Sequence, residues 1–222
     1  MRLAIIGTTI ALLTLVGCST TPIHHPAAPG LAITPVPKSP AGSASRAGVV
    51  RTAVKLLGAK TIEQNGRRIA YDCAGVTRAI YLEHGIDLYA SHVTDRQPNG
   101  VRLIYHHVRQ HGQLHQGPNV MPGDLVFFDN TWDFNGDGKL NDPLTHVGVV
   151  ERTESDGTVV FISRVADAIE RYRMNLALPH VHKTADGRIL NDYIRRKRPT
   201  DPDDMGHLTG ELFTFYGTRL WQ

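Results

Sequence analysis

The sequence carries little excess of either charge sign, since 24 Lys and Arg against 21 Asp and Glu leave a net charge of +3. A surplus this small argues against a nucleic-acid-binding protein, because such proteins concentrate basic residues strongly. The sequence also lacks glycine-rich phosphate-binding motifs and internal repeats. Apolar residues make up 41% and charged residues 20%, a balance that excludes bulk disorder. The 222 residues therefore suit one compact domain with tails.

The apolar stretch at the N-terminus is too short to span a bilayer. It covers residues 3–16 behind the positive Arg2, whereas a spanning helix needs roughly 20 residues. This pattern predicts an export signal peptide over residues 1–17. Residues 15–18 read LVGC and resemble the lipobox of bacterial lipoproteins, which implies that Cys18 is lipidated. The alternative is an ordinary secretory signal with an incidental cysteine.

The lipobox resemblance also implies a location. Several acyl chains on Cys18 would form a stable membrane anchor, where a single chain would not. Ser19 stands where lipoproteins of the inner membrane often carry Asp, so we expect the outer membrane, with the protein facing the periplasm. Residues 18–44 combine the lipidated cysteine with a stretch rich in Pro, Ala and Ser, which predicts a flexible tether. The folded domain is then expected over residues 45–222.

Apolar spacing predicts helices first and strands later. The first helix follows a cap at Ser45, the second covers residues 73–84 behind an N-cap at Asp72, and the third stops near Gly112. Short apolar runs predict strands at residues 125–128, 147–150 and 158–162, and an alternating pattern predicts one at residues 169–174. This order predicts an α+β fold with a mostly antiparallel sheet. Residues 212–216 fit either a late strand or a wrapping segment.

Cys73 and His146 are the residues that point to chemistry. If Cys18 is lipidated, Cys73 has no disulfide partner, and an unpaired thiol in an oxidising compartment is either a nucleophile or buried and inert. Cys73 begins a predicted helix, where the helix dipole favours the thiolate, so we expect a lowered thiol pKa. A cysteine nucleophile needs a base within hydrogen-bond reach, and His146 is the best candidate. If each residue is considered alone, the simpler interpretation of Cys73 is a small buried residue and that of His146 is a surface histidine.

Three segments resemble, in order, the signatures of the NlpC-type cell-wall cysteine peptidases, which belong to the papain-like superfamily. They read YDCAGV at residues 71–76, MPGDLVFF at residues 121–128 and THVGVV at residues 145–150. The resemblance covers residues 47–175 and implies an NlpC-type fold with N-terminal helices packed on an antiparallel sheet. It leaves residues 180–222 as a C-terminal extension.

The same resemblance implies residue roles. Cys73 would attack a peptide carbonyl, and His146 would take the thiol proton and later give it to the leaving amine. Tyr71 and Asp72 would lie on the oxyanion and substrate side of the site. Family members usually orient the imidazole with a polar residue, often His, and Ser163 stands at that position here. A serine hydroxyl can accept the imidazole N–H, but it is shorter and neutral.

The implied activity is hydrolysis of amide bonds in peptidoglycan stem peptides by a cysteine peptidase, with no cofactor required for catalysis. Two alternatives stay open. One is a catalytically weak binding or scaffolding protein of the cell envelope on the same fold, because Ser163 replaces the orienting histidine. The other is an amidase or acyltransferase, since the same Cys–His pair serves any acyl transfer. The expected partners are the peptidoglycan peptide and the lipid anchor, with no nucleic acid.

An acidic loop between the second and third signature segments resembles a calcium site. Residues 133–141 read DFNGDGKLN, like the first nine positions of an EF-hand loop. The candidate ligands are Asp133, Asn135, Asp137, the carbonyl of Lys139, Asn141 and Asp142. Position 12 is Leu144 rather than an acid, so Asp142 would have to close the site. The alternative is a surface turn held by bonds from side chains to the backbone.

Overall fold

A computed structural model describes residues 44–91, 99–199 and 201–221, in which three helices come first. They are α1 (Arg46–Lys55), α2 (Cys73–Leu82) and α3 (Gly100–His111). Between α1 and α2, the antiparallel strands β1 (Glu63–Gln64) and β2 (Arg67–Arg68) form a short hairpin. The turn at Asn65 and Gly66 has positive φ angles of 51° and 72°, as a two-residue hairpin turn requires. Residues 63–68 therefore form a tight hairpin between α1 and α2.

Six strands form one antiparallel sheet. They are β3 (Gln113–His115), β4 (Leu125–Phe128), β5 (His146–Thr153), β6 (Val159–Val165), β7 (Ala168–Met174) and β8 (Phe213–Thr218). Their order is β3-β8-β4-β5-β6-β7, and each neighbouring pair is antiparallel. A single helical turn, α4 (Thr209–Leu212), leads into β8. The predicted α+β class with an antiparallel sheet is confirmed.

Strand β8 confirms the late-strand alternative for residues 212–216, within the C-terminal extension of the domain expected over residues 45–222. It lies between β3 and β4 and pairs with both, so the C-terminal residues complete the sheet. The sequence gives a weak signal here because the segment FTFYGT is short and its partners are distant along the chain. Pairing of this kind depends on tertiary structure rather than on local pattern.

The helices begin where side chains can cap them. The Oγ of Ser45 accepts from the N–H of Gly48 at 3.1 Å, and the Oδ1 of Asp72 accepts from the N–H of Gly75 at 2.7 Å. A Cβ atom on Gly75 would lie 1.9 Å from the carbonyl oxygen of Ala70, so only glycine fits at that position of α2. Cap and glycine together fix the loop before α2 and place Cys73 in the first turn.

The sheet is covered on both faces. Alternate residues of β4 point to opposite sides, with Leu125 and Phe127 facing the helices and Val126 and Phe128 facing away from them. On the helix side the core includes Val49, Ile80 and Ile104. On the other side the C-terminal segment contributes Ile194 and Leu212. Full burial of such a side chain stabilises the fold by roughly 1.5–3 kcal/mol.

Asp124 joins four parts of the domain. Its carboxylate is fully buried and accepts from Arg46 of α1 at 2.8 Å, from the N–H of Met121 at 2.8 Å and from the hydroxyl of Thr218 in β8 at 3.0 Å. The backbone N–H of Val150 in β5 donates to its carbonyl at 2.8 Å. Asp124 therefore has the structural role of fixing the turn before β4.

The predicted signal peptide (1–17), the lipidation site Cys18 and nearly all of the tether lie outside the described residues. The first described helix begins one residue after the predicted cap at Ser45. Across residues 44–91, 99–199 and 201–221, no helix combines the length and the apolar character needed to cross a bilayer.

Replacing Asp124 by Ala is expected to destabilise the domain by about 3–5 kcal/mol, because it leaves the Arg46 guanidinium without its buried partner. Urea unfolding followed by circular dichroism measures the change. The matched control is Glu170→Ala on the exposed side of β7, expected to shift stability by less than about 0.5 kcal/mol. Equal effects of the two substitutions would contradict the role assigned to Asp124.

Candidate active site

The predicted nucleophile and base line one cavity. Its volume is about 320 Å³, and it lies where the first turns of α2 and α3 meet the beginning of β5 and the end of β6. Cys73 comes from α2, His146 is the first residue of β5, and Arg164 follows Ser163 on β6. The fold thus brings together two side chains that are far apart in the sequence, as a Cys–His site requires.

The Ser163 hydroxyl determines which ring nitrogen of His146 carries the proton. Ser163 is fully buried, and its hydroxyl donates to the carbonyl oxygen of Val147 at 2.7 Å. Its Oγ lies 2.9 Å from the Nε2 of His146. Because the one hydroxyl proton goes to Val147, the Oγ must accept from Nε2–H. The Nδ1 of the neutral ring is then the basic nitrogen, and Ser163 occupies the orienting position that the sequence predicted.

The thiol of Cys73 does not have the lowered pKa expected at a helix start. Burial raises the pKa of Cys73 to about 12, with a smaller contribution in the same direction from the charge of the adjacent Asp72. Backbone hydrogen bonds from Val147 and Ala74 lower the pKa by a smaller amount. The expectation was wrong because desolvation of a thiolate outweighs the stabilisation that a few N–H groups provide.

Burial also acts on the imidazole. It lowers the pKa of His146 to about 3, and the positive charge of Arg164 contributes in the same direction. Among the described residues, no hydrogen bond joins the sulfur of Cys73 to the ring of His146. The unliganded pair is therefore a neutral thiol beside a neutral imidazole, rather than a thiolate–imidazolium pair.

Tyr71 and Asp72 are both committed to local structure. The Tyr71 hydroxyl donates to the carbonyl oxygen of Ala59, and its ring lies 5.0 Å from the guanidinium carbon of Arg164. This corrects the expectation that Tyr71 lies on the oxyanion side of the site, because it is not among the described residues that line the cavity and its hydroxyl already donates to Ala59. Asp72 lines the cavity, but its carboxylate caps α2. Backbone N–H groups in the first turn of α2 are the remaining candidates for oxyanion donors.

Other residues that the sequence did not single out for the site also line the cavity. Asn99 caps α3 and donates through Nδ2 to the carbonyl of Leu144 at 3.2 Å, which ties α3 to the chain just before His146. Trp132, half exposed, comes from the inserted loop. Thr145 and Arg164 are neighbours of His146 and Ser163 in sequence, and that adjacency was an available signal. No local pattern could have brought Asn99 or Trp132 to this cavity.

The acidic loop is shaped by bonds from side chains to the backbone. The Asp133 carboxylate accepts from the N–H groups of residues 136–138 at 2.7, 3.1 and 2.9 Å. The Asp137 carboxylate accepts from the N–H of Lys139 at 2.8 Å and from the amide of Asn141 at 2.8 Å. These are the contacts that the surface-turn interpretation expects.

Asp142 stands apart from the other predicted calcium ligands. It is 4% exposed, its Oδ1 accepts from the N–H of Asn135 at 3.3 Å, and its Oδ2 has no hydrogen-bond partner in the described part of the chain. Within the same part, no three His, Cys, Asp or Glu side chains are grouped closely enough to hold a metal ion. The unpaired oxygen favours a cation and the missing cluster argues against one, so calcium binding stays a prediction.

Comparisons with known proteins add little to this site. No protein-family profile matches the sequence, and no curated protein is significantly similar to it. Among solved structures, the chain is similar to the NlpC/p60 domain of the peptidoglycan hydrolase SagA at 20% identity, over 58% of this chain and 88% of that chain. The TM-score is 0.32, which is too low to carry an argument about fold or activity.

The raised pKa of Cys73 predicts a simple dependence of thiol reactivity on pH. A thiol that titrates at about 12 is protonated across the neutral range, so its thiolate fraction grows with pH. The rate of alkylation by iodoacetamide should rise roughly tenfold per pH unit between about pH 7 and pH 10. Mass spectrometry of the peptide that contains Cys73 measures the rate.

Free cysteine is the control, and its rate should level off above a pKa of about 8.5. A plateau in the rate of Cys73 below about pH 8 would instead demonstrate a preformed thiolate–imidazolium pair and contradict the neutral pair described here.

If the acidic loop binds calcium, millimolar Ca²⁺ should raise the melting temperature of the purified protein, and a chelator should reverse the effect. Asp142→Asn should abolish the shift because it removes the closing carboxylate. Glu170→Asn, an exposed substitution of similar charge change, should preserve it. Isothermal calorimetry that detects no heat, together with no shift in melting, would remove the ion from this loop.

Proposed function

We propose that this protein is an NlpC-type cysteine hydrolase that cleaves amide bonds in peptidoglycan stem peptides. The observation that carries the proposal is the cavity shared by Cys73 and His146, with Ser163 holding the imidazole. The three signature segments support the substrate class, because two of them supply the cavity residues and the third supplies β4 with its structural Asp124. Peptide chemistry needs a nucleophile, a base and oxyanion donors, and this cavity contains candidates for each.

The reaction starts when the Nδ1 of His146 takes the proton from the Cys73 thiol and the sulfur attacks the carbonyl carbon of the amide. Backbone N–H groups at the start of α2 stabilise the resulting oxyanion. The intermediate expels the amine, which leaves with the proton from His146, and a thioester remains on Cys73. His146 then takes a proton from water, the hydroxyl group attacks the thioester, and the acid product leaves as the proton returns to sulfur.

The neutral starting pair places a condition on this mechanism. Charge separation between sulfur and imidazole is unfavourable because desolvation opposes the charged form of each group. The substrate must therefore supply part of the electrostatic stabilisation when it enters the cavity. An enzyme of this kind reacts slowly with small thiol reagents and faster with a substrate that fills the site.

A second candidate function is binding without turnover, as a scaffolding protein of the cell envelope. Two observations favour it: the raised pKa of Cys73, and the neutral Ser163 at the position that orients the imidazole. Ser163 fixes the neutral tautomer, but it offers less stabilisation to an imidazolium than a charged partner would. The same cavity would then recognise a stem peptide and release it unchanged.

The proposed location follows from the N-terminal segment. Cys18 would be lipidated and anchor the protein to the outer membrane, and residues 18–44 would act as a tether on the periplasmic side. Such an anchor confines the domain near peptidoglycan and raises its effective concentration there. The protein then needs no separate wall-binding module for access to its polymer.

Incubation of the purified protein with peptidoglycan sacculi or isolated muropeptides tests the proposal, with mass spectrometry identifying new amine and carboxyl ends. Cleavage is expected, and Cys73→Ala should abolish it because it removes the sulfur that attacks the amide carbonyl. Ser163→Ala should lower kcat about tenfold or more while KM changes little, because the base loses its orientation.

The second cysteine provides the matched control: Cys18→Ala should leave cleavage of soluble muropeptides unchanged. Binding of muropeptides without any new chain ends would contradict hydrolysis and favour the scaffolding function.

A further inference from the structure

Arg164 is the one described cation that lines the cavity, and its charge is only weakly compensated. The side chain is 27% exposed, and its Nε is buried with no hydrogen-bond partner among the described residues. Among the described residues, the carboxylate paired with it belongs to Asp167, at 3.8 Å from Nη2, and that side chain is fully exposed. An exposed pair at this distance contributes little. The guanidinium therefore retains the capacity to bind an anion.

The position of the guanidinium is nevertheless fixed. Its central carbon lies 5.0 Å from the centre of the Tyr71 ring, a stacking distance that orients the planar group. Tyr71 is itself held by its hydroxyl, which donates to the carbonyl of Ala59. The stack explains why the guanidinium stays at the cavity although no strong ion pair holds it there.

The rest of the cavity favours negative charge as well. The first turns of α2 and α3 both lie on its wall, and helix N-termini carry partial positive charge. The one carboxylate that the described residues place on the wall, that of Asp72, caps α2, where the helix N-terminus partly offsets its charge. A carboxylate in the cavity would give the exposed part of the Arg164 guanidinium a charged partner, which an uncharged acyl group would not.

We propose that Arg164 is a specificity-determining residue that binds a carboxylate of the substrate close to the carbonyl attacked by Cys73. The proposal rests on the function given above and narrows its substrate class to acyl compounds that carry a free carboxylate beside the scissile bond. A guanidinium can bind both oxygens of such a group at once. Arg164 would therefore select substrates that carry the carboxylate and also position their scissile carbonyl.

Alkylation of Cys73 by two reagents of nearly equal size tests this assignment without a natural substrate. Iodoacetate carries a carboxylate and iodoacetamide carries none, yet both react with the same thiolate. Their rate ratio therefore cancels any change in thiol pKa, and normalising to free cysteine removes intrinsic reactivity. The readout is mass spectrometry of the peptide that contains Cys73, measured on the full chain.

The normalised ratio of iodoacetate to iodoacetamide should favour iodoacetate in the wild-type protein. It should fall about tenfold in Arg164→Gln, which keeps most of the side-chain volume and removes the charge. Arg164→Lys should keep part of the preference, since it retains the charge without the planar fork. The control is Arg152→Gln near the far end of β5, about 20 Å along the strand from His146, where the ratio should not change.

Equal ratios in the wild-type protein and Arg164→Gln would overturn the assignment, even if sacculi are cleaved. A parallel assay with muropeptides whose carboxylates are amidated separates the two proposals. Faster cleavage of the free-carboxylate muropeptide than of the amidated one in the wild-type protein, with this preference lost in Arg164→Gln, supports both. An Arg164-dependent preference for iodoacetate in a protein that cleaves no muropeptide would retain the carboxylate site and reject the hydrolase.

Discussion

The domain depends on one buried carboxylate. Asp124 lies inside the protein, and its oxygens bind Arg46 from the first helix, the turn before β4 and Thr218 from the last strand. A buried charge is tolerated only when its partners are in place, so the helix layer, the central strands and the C-terminal residues must all be correctly positioned together. The arrangement also holds β4 against β5, and β5 presents His146 to the cavity. The position of His146 therefore depends on Asp124 having its buried partners in place elsewhere in the fold.

The site itself combines good geometry with a neutral resting state. Ser163 fixes the tautomer of His146 through two hydrogen bonds, and the cavity admits a group to both the imidazole and the thiol. Burial, however, keeps Cys73 protonated and His146 unprotonated. Orientation and activation are therefore separate properties here: the fold supplies the first, and the bound molecule has to supply much of the second. The weakly compensated guanidinium of Arg164 is consistent with this separation, because a bound anion could pair with it.

The sequence predicted those features that depend on residues close together in the chain, and missed those that depend on distant segments. The caps at Ser45 and Asp72 and the strand over residues 125–128 depend on neighbouring residues, and they were identified correctly. Cys73 and His146 were identified from the signature segments that contain them, and the structure places both residues on the wall of one cavity. The position of β8, the hydroxyl partner of Tyr71 and the raised pKa of Cys73 depend on segments far away along the chain. The helix dipole and the cap depend on one helix alone, whereas desolvation depends on every segment packed around the thiol. For this reason the expected shift in the pKa of Cys73 had the wrong direction.

The central place of β8 has a consequence for how the chain matures. A ribosome synthesises this strand after every other strand of the sheet, so β4 to β7 can form a meander while β3 still has no neighbour. Until β8 inserts, β4 exposes a free backbone edge, and exposed edges recruit strands from other molecules. Assembly of the sheet is therefore completed only after translation has passed residue 218, and distant pairing of this kind is slow. Until then, the nascent chain carries an exposed β4 edge that favours aggregation.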